Sequence, residues 1–232
     1  MFSKRNITHL ILGTQPYPTP PSSAPEIPPS ASTPTQPTPL TPKKILKPSS
    51  MQDLEHNLLH CGSHLKKGAQ SFVFSDGKPG NIMLIGEAPG AQEDEQGKPF
   101  VGKSGQLLMR MFECIGLPRN KLYITNIVPW RPENNRTPTK QEILFFQPFM
   151  KQHIALANPP LIVLVGSTPL NALFPKPEGI TRVHGTTLEL SLEEKTFTCI
   201  PIYHPAYLLR NPFKKKEAWY DLLTIQAKVL TC

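Results

Sequence analysis

Three short segments of this chain carry residue types that could do chemistry together. The first is Gly86-Glu87-Ala88-Pro89-Gly90-Ala91-Gln92-Glu93-Asp94. Two glycines and a proline within five residues make a tight turn that lets a ligand approach the backbone closely. Most such turns are only structural. Here, however, the carboxylate of Glu87 follows Gly86 directly, and Asp94 is a second nearby carboxylate. Gly97-Lys98-Pro99-Phe100-Val101-Gly102 comes next, an amide-rich lead into a helix that suits a phosphate or an anionic ring. The second segment, Tyr123-Ile124-Thr125-Asn126, sets one amide side chain at a strand end. An Asn has both donor and acceptor and can pair bidentately with an imide edge, although it can equally close a turn. The third is His204-Pro205-Ala206-Tyr207-Leu208-Leu209-Arg210-Asn211-Pro212. A histidine next to two leucines and an arginine, on what reads as a loop, resembles a wedge into stacked base pairs with a cation beside it. Lys214-Lys215-Lys216 could meet phosphates or simply be a solvated helix start.

These segments must be held by a scaffold, and its order is readable. Asn81–Gly86, Lys121–Val128, Leu161–Gly166 and Phe197–Tyr203 are nearly continuous apolar runs, as expected of strands in a parallel sheet covered on both faces. Helical spacing lies between them. Leu107, Leu108, Met111, Phe112 and Ile115 share one face of Ser104–Gly116. Thr139–Ala157 follows Pro138, with Glu142 three residues after Thr139 as a capping box. Thr168–Phe174 is a short helix and Lys214–Leu230 the last one. The βαβα order predicts a three-layer α/β/α sandwich around a short, mainly parallel four-stranded sheet. Ligands bind such sheets beyond the carboxyl ends of the strands. Gly86–Gly90, Asn126 and His204 all fall there, so one cleft is expected.

Twelve of the 28 prolines lie between Pro16 and Pro48, among Ser, Thr and Ala. Such a stretch buries too little apolar surface to offset its ordering entropy. Residues 1–50 are therefore expected to be a disordered, proline-rich arm, a spacer or a tether to an unknown partner, and residues 51–232 the folded domain. No apolar run approaches the ~20 residues that span a bilayer, and Leu10–Leu12 behind Lys4 and Arg5 is too short for a signal-peptide core. A cytoplasmic address is expected. Cys61, Cys114, Cys199 and Cys232 form no CxxC pair and read as reduced thiols. The net charge of +8 permits a phosphate-bearing partner without requiring one.

The ordered strings GEAPGAQED, GKPFVGKSGQLL, YITNIV, RPENNRTP and HPAYLLRNP resemble the type-4 uracil-DNA glycosylases over about residues 60–225. The resemblance implies the uracil-DNA glycosylase fold, a monomer acting on uracil-containing DNA, single- or double-stranded, and cleavage of the bond joining uracil to deoxyribose. It also implies roles by position. Phe100 stacks on the flipped ring, Asn126 reads its polar edge, and backbone amides around Gly86 and Ala88 hold its carbonyl oxygens. His204 donates a hydrogen bond to the leaving base, Glu87 positions or deprotonates the attacking water, Leu208 fills the vacated gap in the duplex, and Arg210 meets phosphate.

One departure stands out. Members of that family hold a [4Fe–4S] cluster with four cysteines, and here those positions fall on Cys61, His64, Trp130 and Phe146. Trp and Phe cannot ligate iron, and two ligands are too few for another metal. No cluster and no metal are expected. The competing readings are a covalent uracil-DNA-binding protein of the same fold, for whose basic loop Arg182-Val183-His184-Gly185 is too short, and a non-catalytic DNA-binding protein.

Overall fold

Continuous apolar runs become neighbouring strands because both sheet faces are covered. The computed structural model describes residues 47–175 and 177–230. In chain order the elements are α1 (Met51–Leu59), β1 (Ser75–Asp76), β2 (Ile82–Gly86), α2 (Ala91–Gln96), α3 (Lys103–Cys114), β3 (Tyr123–Asn126), α4 (Lys140–Ala157), β4 (Leu161–Val165), α5 (Ser167–Leu173), α6 (Ile180–Val183), β5 (Leu188–Leu192), β6 (Lys195–Ile202), α7 (Pro205–Arg210) and α8 (Lys215–Val229).

The sheet order is β1-β3-β2-β4-β6-β5. Its four central strands are parallel, as expected, with Gly86 opposite Asn126 and Leu161–Val165 opposite Thr198–Ile202. The sheet has six strands and not four, because β1 and β5 add antiparallel edges. Successive residues of β2 and β4 alternate between two cores, which is what period-2 geometry requires when both faces are buried. Met83, Ile85, Ile162 and Leu164 pack on one side with Leu54 and Leu58 of α1, Phe145 and Phe149 of α4, and Leu170 of α5. Ile82, Leu84, Leu161, Val163 and Val165 pack on the other with Leu108 and Phe112 of α3 and Leu222 and Ile225 of α8. The result is the three-layer α/β/α arrangement.

The capping box of α4 is formed. Thr139 Oγ1 accepts from the Glu142 N–H (3.2 Å), and the Glu142 carboxylate accepts from the Thr139 N–H (2.7 Å). Most of the proline-rich arm, residues 1–46, lies outside the described residues. Its last residues join the domain: Lys47 Nζ pairs with Glu193 (3.0 Å) and the Ser50 hydroxyl caps α1 by accepting from the Asp53 N–H. No described helix is long and apolar enough to cross a membrane.

Candidate active site and DNA-facing cleft

The strand ends open onto a cleft of about 730 Å3 lined by Glu87, Ala88, Phe100, Asn126, His204 and Arg210. Gly86 lies just beneath it, covered by Asn126 and Phe100. A β-carbon there would lie 2.3 Å from Asn126 Oδ1 and 2.4 Å from Phe100 Cζ, so only glycine lets these two side chains close over the strand. The β2–β3 ladder extends past the sheet through Ile127 N–H to Gly86 O (2.9 Å) and Val128 N–H to Glu87 O (3.1 Å). That fixes Glu87 and Asn126 on adjacent segments.

Phe100 is buried at a positive φ of 53°, a conformation that costs a non-glycine residue of order 1–3 kcal/mol and persists only where neighbours impose it. They do so from both sides. Glu93 Oε1 accepts from the N–H groups of Val101 (3.0 Å) and Gly102 (2.8 Å), while its other oxygen takes the Gly90 N–H (3.2 Å). Arg119 donates to the carbonyls of Pro99 (2.7 Å) and Phe100 (2.9 Å) and is itself held by Asp76 (2.7 Å). Gly105 of α3 completes the seat, since a β-carbon there would meet the Phe100 backbone at 2.2 Å.

His204 caps α7. Its Nδ1 accepts the Ala206 N–H (3.2 Å), so the neutral ring carries its proton on Nε2, free to donate. Burial, with the nearby Arg210 charge adding to it, lowers its pKa from the usual 6.5 to about 4. The imidazole is therefore neutral at physiological pH. Its ring centroid lies 6.3 Å from that of Phe100. Gly166 at φ 96° lets the β4 end pass close by, where a β-carbon would be 3.0 Å from His204 Cβ. The Glu87 carboxylate accepts a hydrogen bond from the Thr168 hydroxyl at the start of α5.

The other carboxylate considered in the sequence, Asp94, faces away from the cleft. It is buried and accepts from the N–H groups of Gln70 and Ser71 (both 2.9 Å), so it ties α2 to the preceding segment. Leu208 also departs from expectation. His204-Pro205 starts a helix and not a loop, with Pro205 in its first turn where its missing N–H costs nothing. The helical turn sends Leu208 inward, 0% exposed against Tyr203 and Ala218, while Leu209 is 46% exposed. The exposed apolar neighbour of Arg210 is therefore Leu209. Lys103, Arg136 and Arg210 bring positive charge to the cleft wall. Nothing local marks Arg119 and Thr168, whose partners lie 19 or more positions away, whereas Glu93 sits three residues after Gly90, where a capping carboxylate is expected.

The positions that correspond to cluster ligands are occupied otherwise. The Trp130 and Phe146 rings are buried with centroids 5.9 Å apart, and Phe72 lies 5.0 Å from Trp130. Cys61 packs against the same core. His64 Nε2 is 2.9 Å from Glu142 Oε1, which also takes Arg136 Nη2 at 2.7 Å. Among the described residues no group of three or more His, Cys, Asp or Glu could hold a metal ion. Two aromatic rings in van der Waals packing and a histidine committed to a carboxylate do not fit a four-thiolate cluster.

Comparison with known proteins agrees with this architecture. The chain is 35% identical over 189 residues to a type-4 uracil-DNA glycosylase of Sulfurisphaera tokodaii, covering 78% of this chain and 86% of that one. It is 39% identical over 153 residues to one of Thermotoga maritima (65% and 77% covered), and 42% identical over 150 residues to one of Saccharolobus solfataricus (62% and 69%). With the model of the Uracil DNA glycosylase superfamily also matching residues 74–223, a span that holds every cleft residue described above, the chain belongs to that superfamily.

Proposed function

We propose that this protein is a monofunctional uracil-DNA glycosylase of base-excision repair, hydrolysing the N-glycosidic bond of uracil in DNA and leaving an abasic site. The observation that carries the reading is the convergence of Glu87, Phe100, Asn126 and His204 on one cleft at the carboxyl ends of the parallel strands, in a chain of this superfamily.

The chemistry follows from the groups present. A base inside a duplex cannot be reached, so the nucleotide must be flipped out. Phe100 offers its face to the ring and Asn126 its amide to the imide edge, while backbone amides of the Gly86–Ala88 turn face the carbonyl oxygens. As the bond between N1 and C1′ breaks, its electron pair leaves with uracil and the sugar becomes cationic. The neutral His204 donates its Nε2 proton as a hydrogen bond to the oxygen where negative charge grows, which is oxyanion-type stabilisation. A water oxygen then bonds to C1′, and Glu87, oriented by Thr168, takes its proton. Arg210 and Lys103 hold the flanking phosphates.

We also infer that the enzyme works as a monomer without an iron–sulfur cluster, its place filled by Phe72, Trp130 and Phe146 and by the His64–Glu142–Arg136 bridge. Incubation with uracil-containing single- and double-stranded oligonucleotides should generate alkali-labile abasic sites. Tight retention of the oligonucleotide with no alkali-labile site would sink the enzyme reading. Iron and acid-labile sulfide in stoichiometric amounts in purified protein would overturn the cluster-free reading.

A further inference from the structure

Phe213 is 96% exposed, more than any other large apolar side chain described here. It sits in a 3-10 turn, Pro212–Lys214, directly after α7. A ring so exposed contributes nothing to the core. Its backbone is nonetheless firmly held. The Asn211 N–H donates to Tyr207 O (2.8 Å), the Lys214 N–H donates to Asn211 O (3.0 Å), and Lys214 Nζ reaches Glu217 (2.7 Å). An apolar ring presented on a fixed turn is preorganised for a partner.

The surroundings identify that partner. Arg210, three residues earlier, lines the cleft, and three Cα steps of about 3.8 Å put Phe213 within roughly 11 Å of it. One DNA strand advances about 3.4 Å per nucleotide, so that reach corresponds to about three nucleotides. Lys214 is engaged with Glu217, whereas Lys215 and Lys216 on the next turn are exposed. An exposed aromatic flanked by cations and continuous with the cleft rim is the arrangement that binds unstacked bases along a phosphate backbone.

We propose that Phe213 is a further DNA-contacting residue, its ring stacking on a nucleobase within about three nucleotides of the one held in the cleft, while Lys215 and Lys216 meet the phosphates of that strand. The proposal rests on the glycosylase reading above.

The full chain is tested with uracil oligonucleotides carrying 2-aminopurine, a fluorescent base whose emission reports stacking, at successive positions on either side of the uracil. Wild-type protein should change the emission at one or two positions within that window. Phe213→Ala should abolish the change and weaken binding about tenfold, the loss falling on KM more than on kcat, and Phe213→Trp should restore both. The slope of affinity against salt should stay as in wild type for Phe213→Ala and fall by about one for each of Lys215→Ala and Lys216→Ala. Wild-type affinity and a persisting wild-type emission change in folded Phe213→Ala would overturn the proposal, as would a dimer that this substitution dissociates without altering DNA affinity. The emission readout needs binding but no cleavage. An inactive wild type would thus count against the glycosylase reading alone, and Phe213 would still be judged.

Discussion

Gly86 and Asn126 are register partners on adjacent parallel strands, and the space above Gly86 is filled by the Asn126 amide and the Phe100 ring. The three residues form one unit, so a methyl group at Gly86 must displace a side chain that would contact the base. A displacement of about 1 Å at a reacting centre can cost about 10²-fold in rate. Gly86→Ala should therefore lose about that factor in kcat/KM while staying folded by circular dichroism. A folded variant with wild-type kcat/KM would show that the Asn126–Phe100 spacing does not matter.

Glu87 and Thr168 are 81 residues apart in sequence and joined by one hydrogen bond. If Glu87 takes the proton from water, Glu87→Gln should lower kcat by about 10²–10⁴-fold, the range for general acid–base catalysis. Thr168 acts through Glu87, as a positioning residue. Thr168→Val should lower kcat about tenfold with little change in KM, by loss of one charge-assisted hydrogen bond, and Thr168→Ser should recover most of it. A Thr168→Val variant with raised KM and unchanged kcat would place Thr168 in binding instead.

The parts of this site that the sequence discloses are those written in local pattern. Strands β2 and β4 are buried on both faces, so each is an unbroken apolar run. The turn at Gly86, the amide at Asn126 and the His204-Pro205 pair stand out because they end such runs. The α4 cap was likewise legible in Thr139 and Glu142. What could not be read depends on contacts made only after folding. The seat of Phe100 needs Glu93 and Arg119, whose bonds to residues 99–102 span up to 20 positions in sequence. Strand β1 is too short to leave a pattern, whereas the alternation Leu188-Glu189-Leu190-Ser191-Leu192 of edge strand β5 is itself a strand signal, unlike the unbroken apolar runs of the central strands. The helix α7 hid behind a Pro that also fits a loop, and with it went the orientation of Leu208. Helical phase alone decides which of two adjacent leucines faces the core.

His204 should act as a neutral donor. With its pKa near 4, protonation in the acid range removes the neutral state, so kcat should be flat from about pH 6 to 8 and fall as pH approaches 4. Arg210 helps hold that pKa down. Arg210→Gln should raise it toward its usual value and move the acid limb to higher pH, followed in parallel by NMR titration of the ring. His204→Ala should cost about 10²–10³-fold in kcat, as loss of one oxyanion donor does. A ring titration that does not move in Arg210→Gln would contradict this coupling.

Glu142 makes the clearest case for a pH-dependent fold. Its side chain is 2% exposed and would be pushed toward the neutral acid by burial. Two bonds from Arg136 (2.7 and 2.8 Å) and the Thr139 cap outweigh that and hold its pKa at about 2. The folded value lies below the ordinary 4.5, so the native state favours the ionised form. The stability this provides is fully present above about pH 4.5 and is lost as pH falls toward 2. Urea unfolding midpoints should therefore drop steeply across that window in wild type and less steeply in Glu142→Gln. Arg136→Met leaves a buried carboxylate without its main partner and should destabilise the fold by about 2 kcal/mol at neutral pH. His64, half exposed, should matter far less there. If His64→Ala proved as damaging as Arg136→Met, the bridge would be carried by the histidine. If Glu142→Gln kept the full acid slope, the lost stability would have to come from other carboxylates.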